Sequence, residues 1–320
     1  MSLSTRAQWL GSLAVLGTAA LPCQASAQSA QSIVKAAWSP TDLSSPGFYA
    51  RDLGYFKELG IDLRIEPMTS GSAVAAAVAS GTIDIGFSNL LALVVAHVKG
   101  IPFTMIAAGN LAISDPHPAI GLLSVKKTSL IQTAKDLDGK TVAVDSLGSF
   151  SVLGVRNWMD KGGADSKTVH FVELPYSAMP AALVSGRVDA ACLTYPADPT
   201  LGQPGDPLRL VAGVYNVIAD RFLFTAWFST STWVDAHHDV AKRFADAIAR
   251  ASVWGNSHHA EGAAILAKYV NQLPAEINAA PRAIYGTNLS LNLVQPTIDL
   301  LARYGVIPAA FPVREMIASL

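Results

Sequence analysis

One short pattern occurs twice in this chain, once in each half of the sequence. Residues 77–84 read AVASGTID and residues 182–189 read ALVSGRVD. In both copies, apolar residues at helical spacing lead into a Ser-Gly pair that is typical of a helix end, and then into an apolar segment that is typical of a strand. The repetition predicts the same helix–turn–strand unit in two halves that close on something between them.

The first 27 residues have the composition of an export signal. Arg6 precedes an apolar stretch over residues 9–21 that is too short to span a bilayer, and Ala25-Ser26-Ala27 is a small-residue cleavage pattern. We therefore expect cleavage after Ala27 and a periplasmic protein. A lipid anchor through Cys23 is the alternative, although Pro22 stands where a lipidation signal has a small residue.

Length and charge restrict the remaining possibilities. The 320 residues favour roughly two domains, and removal of the leader leaves 22 basic and 24 acidic residues. Such a balance gives no reason to expect nucleic acid or an anionic membrane as a partner. Cys192 is then the only cysteine, so we expect no disulfide and interpret the thiol as a small core residue.

Strands alternate with helices along most of the chain, which favours βα units and a mostly parallel sheet in an α/β fold. The predicted strands are 33–38, 63–65, 83–87, 103–108, 120–125, 141–144, 169–174, 188–193, 208–212 and 222–228. The predicted helices are 47–59, 73–79, one following Ser88-Asn89, 129–137, 152–161, one opened by Ser177, one begun by Tyr195-Pro196, and a helical C-terminal part with segments 261–269, 274–280 and 290–303.

We interpret the strands 120–125 and 222–228 as the two crossings between lobes. One lobe is then discontinuous, with residues 28–122 and 226–320, and residues 123–225 form an inserted second lobe. The helices after Ser231 are expected to pack behind the first lobe.

Five motifs in order resemble one group of substrate-binding proteins of ABC transporters, those for aliphatic sulfonates, taurine and nitrate, and their relatives, the thiamine-pyrimidine precursor binding proteins and synthases. The resemblance covers about residues 34–196 and implies a type II periplasmic-binding fold with two α/β lobes, two crossover strands and a ligand cleft. The motifs are residues 45–63, Ser70-Gly71-Ser72, 80–86, 135–143 and 185–190.

Ligands of open α/β sheets bind beyond the carboxyl ends of strands, where helix N-termini favour anions. The polar candidates are therefore the residues that follow the predicted strands, although Ser, Thr and Asn at helix starts commonly act only as caps. In the first lobe they are Ser39, Thr41, Ser70, Gly71, Ser72, Ser88, Asn89 and Asn110, and in the second they are Ser146, Ser149, Tyr176 and Thr194.

Aromatic residues at strand ends offer a second kind of contact. Trp38, Tyr176, Tyr195 and Trp227 could stack on a planar ligand or form an apolar wall, or they could be half-buried packing residues. No Arg follows a predicted strand on the cleft side, so a bidentate clamp on a carboxylate or sulfonate is not visible. Neutral donors and helix ends would hold the ligand.

Other chemistry finds little support in the sequence. Asp84 and Asp189 begin strands at the end away from the cleft, and we interpret both as structural. The adjacent pairs His237-His238 and His258-His259 do not have chelating helical spacing, so we expect no metal site. No nucleophile elbow, P-loop or dinucleotide fingerprint is present, and we expect no cofactor.

The favoured hypothesis is a monomeric periplasmic solute-binding protein of an ABC importer. It would close by hinge motion on a small organic anion of sulfonate, taurine or aromatic-carboxylate type and deliver it to inner-membrane permease subunits. Two alternatives remain open: an enzyme of the pyrimidine-precursor synthase type, and a periplasmic sensor subunit. The resemblance implies that such synthases are cytosolic and rely on a cysteine-rich motif, whereas this chain has a leader and one cysteine after it.

Overall fold

The computed structural model describes residues 31–68, 71–114, 120–194 and 205–320. The predicted leader and the helix predicted to begin at Tyr195-Pro196 lie outside these ranges. The strands are β1 Ser32–Trp38, β2 Ile61–Pro67, β3 Ile85–Asn89, β4 Phe103–Ala108, β5 Asn110–Ile113, β6 Ile120–Lys126, β7 Thr141–Val144, β8 His170–Glu173, β9 Ala190–Thr194, β10 Leu208–Gly213, β11 Arg221–Leu223, β12 Thr225–Thr230 and β13 Ile284–Tyr285. The helices are α1 Ser45–Asp52, α2 Tyr55–Glu58, α3 Gly71–Ala79, α4 Leu90–Val98, α5 Phe150–Lys161, α6 Met179–Val184, α7 Ser231–Ala236, α8 His238–Gly255, α9 His259–Leu266, α10 Pro274–Ala279 and α11 Leu291–Arg303.

Two five-stranded sheets carry the α/β architecture. The first has the order β2-β1-β3-β12-β4, and the second has the order β10-β6-β9-β7-β8. β1 is parallel to both β2 and β3, and β7 is parallel to both β8 and β9. Each sheet therefore has a parallel core of three strands whose carboxyl ends lie at one edge.

The repeated sequence pattern forms the same structure in both sheets. The glycine after each helix has a left-handed backbone, with φ of 74° at Gly81 and 73° at Gly186, a conformation that costs glycine little. The aspartate after each turn accepts a hydrogen bond from the neighbouring strand, a contact that we call the aspartate clasp. Asp84 Oδ2 accepts from the Lys35 amide at 2.8 Å, and Asp189 Oδ2 accepts from the Thr141 amide at 2.8 Å. The structural interpretation of both acids is confirmed.

A small third sheet, with the order β11-β5-β13, lies between the two large sheets in chain order. The chain leaves β4 of the first sheet through β5, and it returns from β10 of the second sheet through β11. β5 and β11 pair antiparallel, with Ala112 opposite Phe222. These two strands are therefore the crossovers of the fold.

The strand predicted at 120–125 is instead an internal member of the second sheet, because β6 pairs with both β9 and β10. The strand predicted at 222–228 divides at Phe224 into β11 and β12, which belong to different sheets. The helix predicted at 47–59 also divides, because Gly54 has a φ of 81°.

The helix predicted at 129–137 is wrong except for a 3₁₀ turn over Ala134–Leu137. The Arg209 guanidinium donates to the carbonyl oxygens of Ser129 and Ile131, at 3.0 and 2.6 Å. Those two carbonyls are thereby engaged by a long-range side chain rather than by helical amides.

The C-terminal helices cover the first sheet, as expected. α8 packs on α1 and β4, and α9 packs on α1. α11 packs on β11 and α4, and its end reaches α5, where Arg303 Nη1 donates to Asn157 Oδ1 at 3.3 Å. Within the described ranges, no helix is both long enough and apolar enough to cross a membrane.

The two aspartate clasps give a test of the repeated unit. Replacing Asp84 or Asp189 with Ala removes a charged acceptor from a strand amide, so we expect the free energy of unfolding to fall by about 1–2 kcal/mol in each variant. Asp84→Ala should have the larger effect, because Asp84 is half-buried and Asp189 is exposed.

Denaturant titration of the purified protein measures this loss. Asp246→Ala is the matched control, because it removes an exposed carboxylate 3.8 Å from Lys242 and should change the free energy by no more than about 0.5 kcal/mol. An effect at Asp84 and Asp189 no larger than at Asp246 would contradict the clasp.

Candidate functional site

The N-terminus of α3 meets a buried hydroxyl of β3. A Cβ at Gly71 would lie 2.8 Å from Ser88 Oγ, so glycine permits this close approach. Ser88 is 3% exposed, and its hydroxyl has no hydrogen-bond partner within the described ranges. Because an unsatisfied buried hydroxyl is costly and the first amides of a helix lack intrahelical acceptors, this contact is suited to an oxygen-rich ligand group.

Three of the predicted site residues lie wholly or partly outside the described structure. Ser70 lies outside the described residues, as do Tyr195 and the side chain of Ser72. Asn89 is the cap of α4, and its Oδ1 accepts from the Ala92 amide at 2.9 Å. Capping thus accounts for this Oδ1 contact.

The turn after β1 is held by internal hydrogen bonds. Ser39 Oγ donates to the Met68 carbonyl at 2.7 Å, which ties the ends of β1 and β2 together. Asp42 accepts from Arg282 Nη2 at 2.7 Å and from the Ala283 amide at 2.6 Å. Thr41 lies exposed beside this network.

Asn110 begins the crossover strand β5 and is 1% exposed. Its amide donates to Thr225 Oγ1 at 2.8 Å, and its Oδ1 accepts from the same hydroxyl at 2.6 Å. Asn110 therefore joins the start of β5 to the start of β12.

Trp38 and Trp227 are fully buried in the core of the first sheet. Their rings meet edge to face at 4.9 Å, and a Cβ at Gly47 would lie 2.8 Å from one and 2.7 Å from the other. Neither indole presents a ring face to solvent, so we leave both out of the proposed site. Each Nε1 is buried without a hydrogen-bond partner in the described part of the chain.

In the second sheet, the loop after β7 centres on Asp145. Ser149 Oγ donates to Asp145 Oδ1 at 2.9 Å, and Ser151 Oγ donates to the same oxygen at 2.6 Å. Ser146 accepts from the Gly148 amide at 3.4 Å and closes the turn. Ser146 and Ser149 thus help to build a loop whose one charged group is Asp145.

Tyr176, Cys192 and Tyr215 surround this carboxylate. Burial raises the pKa of Tyr176, and the negative charge of Asp145 raises it further. Burial is also the main cause that raises the pKa of Tyr215 and brings the pKa of Cys192 to about 12. Thr194, the half-buried last residue of β9, pairs with Ile120.

An aromatic group joins the two halves of this arrangement. Phe224 lies between β11 and β12, its amide donates to the Asn110 carbonyl at 2.9 Å, and its carbonyl accepts from the Leu90 amide at 3.0 Å. Its half-buried ring lies 4.9 Å from the ring of Phe150 and stacks at 5.6 Å on Tyr215. Phe224 therefore contacts Leu90, two residues beyond Ser88, through its backbone, and Phe150 and Tyr215 through its ring.

Sequence reasoning missed Asp145, Ser151, Tyr215 and Phe224. The position of Asp145 directly after a predicted strand is a usable signal for it. Tyr215 and Phe224 carry no comparable signal, because their contact depends on how the crossover strand meets the second sheet.

Other candidate sites are weaker. Among the residues that the structure describes, no group of three His, Cys, Asp or Glu side chains could hold a metal ion. His237 stacks on Trp233 and His258 stacks on Trp254, each one helical turn away. A cavity of about 330 Å³ lies beside β4 and α8, and none of the predicted site residues lines it.

Comparison with known proteins places this architecture. The family model described as NMT1/THI5 like matches residues 44–260. The aliphatic sulphonate binding protein SsuA of Escherichia coli superposes with a TM-score of 0.72 at 17% identity, covering 90% of this chain and 92% of that one. This likeness shows the type II periplasmic-binding fold.

Two curated relatives point to different activities. A 4-amino-5-hydroxymethyl-2-methylpyrimidine phosphate synthase of Saccharomyces cerevisiae is 28% identical over 161 residues, which are 48% of this chain and 43% of that protein. The taurine-binding periplasmic protein of Escherichia coli is 29% identical over 198 residues, which are 61% of this chain and 58% of that protein. The chain thus matches less than two thirds of the length of either relative.

The environment of Cys192 gives a second test. Cys192 is 1% exposed, and burial raises the pKa of its thiol to about 12. At pH 8 its thiolate fraction is therefore about a thousandfold below that of an ordinary cysteine. We expect the native, leader-free protein to resist Ellman's reagent at pH 8 and the guanidinium-unfolded protein to react with one equivalent. Rapid labelling of the folded protein would show that the thiol is accessible.

Proposed function

Given that this chain belongs to the NMT1/THI5-like family, we propose that it is a solute-binding protein of an ABC importer, working in the periplasm after cleavage at Ala27. The protein acts as a monomer. It closes on a small organic anion of sulfonate, taurine or aromatic-carboxylate type and presents this ligand to membrane permease subunits. The fold shared with a sulphonate-binding protein and the similarity to a taurine-binding periplasmic protein support this proposal.

The two proposed lobes follow the sheets. The first comprises the N-terminal strands with residues 226–320, and the second comprises most of residues 123–225. Since all of β6 belongs to the second sheet, we propose the first boundary between Ile113 and Ile120. Since β11 belongs to the crossover sheet, we propose the second boundary between Gly213 and Arg221.

The contact of Gly71 with Ser88 is the observation that carries the ligand proposal. The Ser88 hydroxyl, which has no hydrogen-bond partner within the described ranges, lies against Gly71 at the N-terminus of α3 without an intervening Cβ. Such a donor, with the positive end of the helix dipole, stabilises a sulfonate or carboxylate. A bound oxygen would also supply the partner that the buried hydroxyl lacks.

A pyrimidine-precursor synthase is the second candidate, and the similarity to the yeast enzyme favours it. Such an activity would have to use this chain's one post-leader cysteine or no cysteine at all. Because burial keeps Cys192 protonated, we propose binding without turnover. A sensor subunit would use the same ligand cleft and differ only in the receptor that it meets.

Ligand-dependent thermal stabilisation tests the proposal. The chain is expressed with its leader, purified from the periplasm and heated with sulfonates including taurine, nitrate, aromatic carboxylates and pyrimidines. A ligand at a hundredfold excess over its Kd adds about 2.7 kcal/mol to the free energy of unfolding, which raises Tm by several degrees. Stabilisation by pyrimidines alone, with a new product detected by mass spectrometry, would favour the synthase.

Ser88→Ala separates ligand binding from folding. The variant loses an unsatisfied buried hydroxyl, so we expect the ligand-free protein to be as stable as wild type or more stable by up to about 1 kcal/mol. Its Kd for the anion should rise about tenfold, because one donor to the ligand is gone. Isothermal titration calorimetry and denaturant titration measure the two effects.

Ser252→Ala is the matched control. Ser252 is fully buried in α8, and its hydroxyl also has no hydrogen-bond partner within the described ranges. This variant should show the same direction of stability change and an unaltered Kd. Equal ligand affinity in the two variants would remove Ser88 from the site.

A further inference from the structure

Asp145 lies at the carboxyl end of β7, and its carboxylate has no cationic side chain as a partner among the described residues. It is half-buried, and none of the ion pairs among the described residues includes it. Its hydrogen bonds from Ser149 and Ser151 both reach Oδ1. The second carboxylate oxygen receives none of these hydroxyl contacts.

Apart from the N-terminus of α5, whose dipole end is positive, the described groups near Asp145 carry no positive charge. Burial is the main cause that raises the pKa values of Tyr176, Cys192 and Tyr215. The negative charge of Asp145 raises each of these pKa values further. Hydroxyl, phenol and thiol groups can solvate a carboxylate, but they do not neutralise it. A half-buried carboxylate without an ion pair is therefore a strong attractor for a ligand cation.

The aromatic residues beside this carboxylate favour a cation as well. Phe224 is half-buried and forms one cluster with Phe150 and Tyr215. The faces of aromatic rings attract ammonium groups, by about 0.5–2 kcal/mol depending on exposure. The combination of a ring face and a carboxylate is suited to an amine.

Phe224 also connects the surroundings of Asp145 to the contact between Gly71 and Ser88. The Phe224 carbonyl accepts from the Leu90 amide, and Leu90 is two residues beyond Ser88. Ser88 and Asp145 also lie at the carboxyl ends of β3 and β7, where ligands of open α/β sheets bind.

We propose that Asp145 binds the ammonium group of a ligand whose anionic group lies at Gly71 and Ser88, so that the solute is an amino-bearing sulfonate or carboxylate rather than a simple anion. This inference rests on the proposed ligand-binding function. It assigns a different kind of contact to each lobe. The first lobe binds the anionic group through neutral donors and a helix N-terminus, and the second binds the ammonium group through a carboxylate.

Matched ligand pairs test the inference by calorimetry on the purified protein. The pairs are 2-aminoethanesulfonate with ethanesulfonate, 3-aminopropanoate with propanoate, and 4-(aminomethyl)benzoate with 4-methylbenzoate. We expect the amino member of at least one pair to bind about 10- to 100-fold more tightly, as a charged hydrogen bond requires. In Asp145→Asn, which keeps an oxygen for the serine hydroxyls, that preference should disappear while the amine-free anion binds as well as or better than before.

Asp165→Asn is the control for net charge, because Asp165 is an exposed carboxylate in the turn between α5 and β8. It should leave the preference unchanged. Equal binding of both members of each pair, or a preference that survives Asp145→Asn, overturns this inference and leaves the proposed function standing. Failure of all six compounds and of the wider panel to bind overturns both.

Discussion

Phe224 contacts both halves of the molecule, one through its backbone and the other through its ring. Its amide and carbonyl bond to Asn110 and Leu90, next to the first sheet, and its ring packs on Phe150 and Tyr215 of the second half. The buried Asn110–Thr225 pair fixes the chain on the adjacent residue. This crossing therefore connects the segment that carries Ser88 with the aromatic residues of the second half.

The repeated unit makes the two half-sites comparable position by position. Lys35 and Thr141 are equivalent, because each donates its amide to the repeated aspartate. Four residues further on, the first half has Ser39 and the second has Asp145. Ser39 donates its hydroxyl to the Met68 carbonyl, whereas Asp145 accepts from two serine hydroxyls and belongs to none of the ion pairs among the described residues.

The strands that follow the two repeated aspartates also differ, and here the first half carries the polar residue. Four residues after Asp84 comes Ser88 with its unpartnered hydroxyl, and four residues after Asp189 comes Leu193, which is 1% exposed. The same local fold thus presents a neutral donor in one half and a carboxylate in the other, on different strands. The aspartate hydrogen bond and the glycine turn are common to both halves, whereas the residues at the strand ends differ.

Local patterns predicted what depends on local geometry. The Ser-Gly turns, the structural aspartates and the Asn89 cap follow from residue types at fixed spacing, and the structure has them. Contacts between distant residues were not predictable: Arg209 engages the carbonyls at Ser129 and Ile131, and Gly47 admits two indoles that strand-end reasoning placed near a ligand. The unpaired state of Asp145 likewise emerges only when its neighbours on three other segments are known.

The charge of the cleft restricts its ligand beyond the individual contacts. Like charges in a partly desolvated site repel each other, so in the proposed arrangement Asp145 weakens the binding of a simple anion at Ser88. An ammonium group on the same ligand converts this repulsion into attraction and leaves no desolvated charge without a partner. A site built from neutral donors and one carboxylate therefore matches a solute whose own net charge is near zero, and it discriminates against simple anions by repulsion as well as by contact.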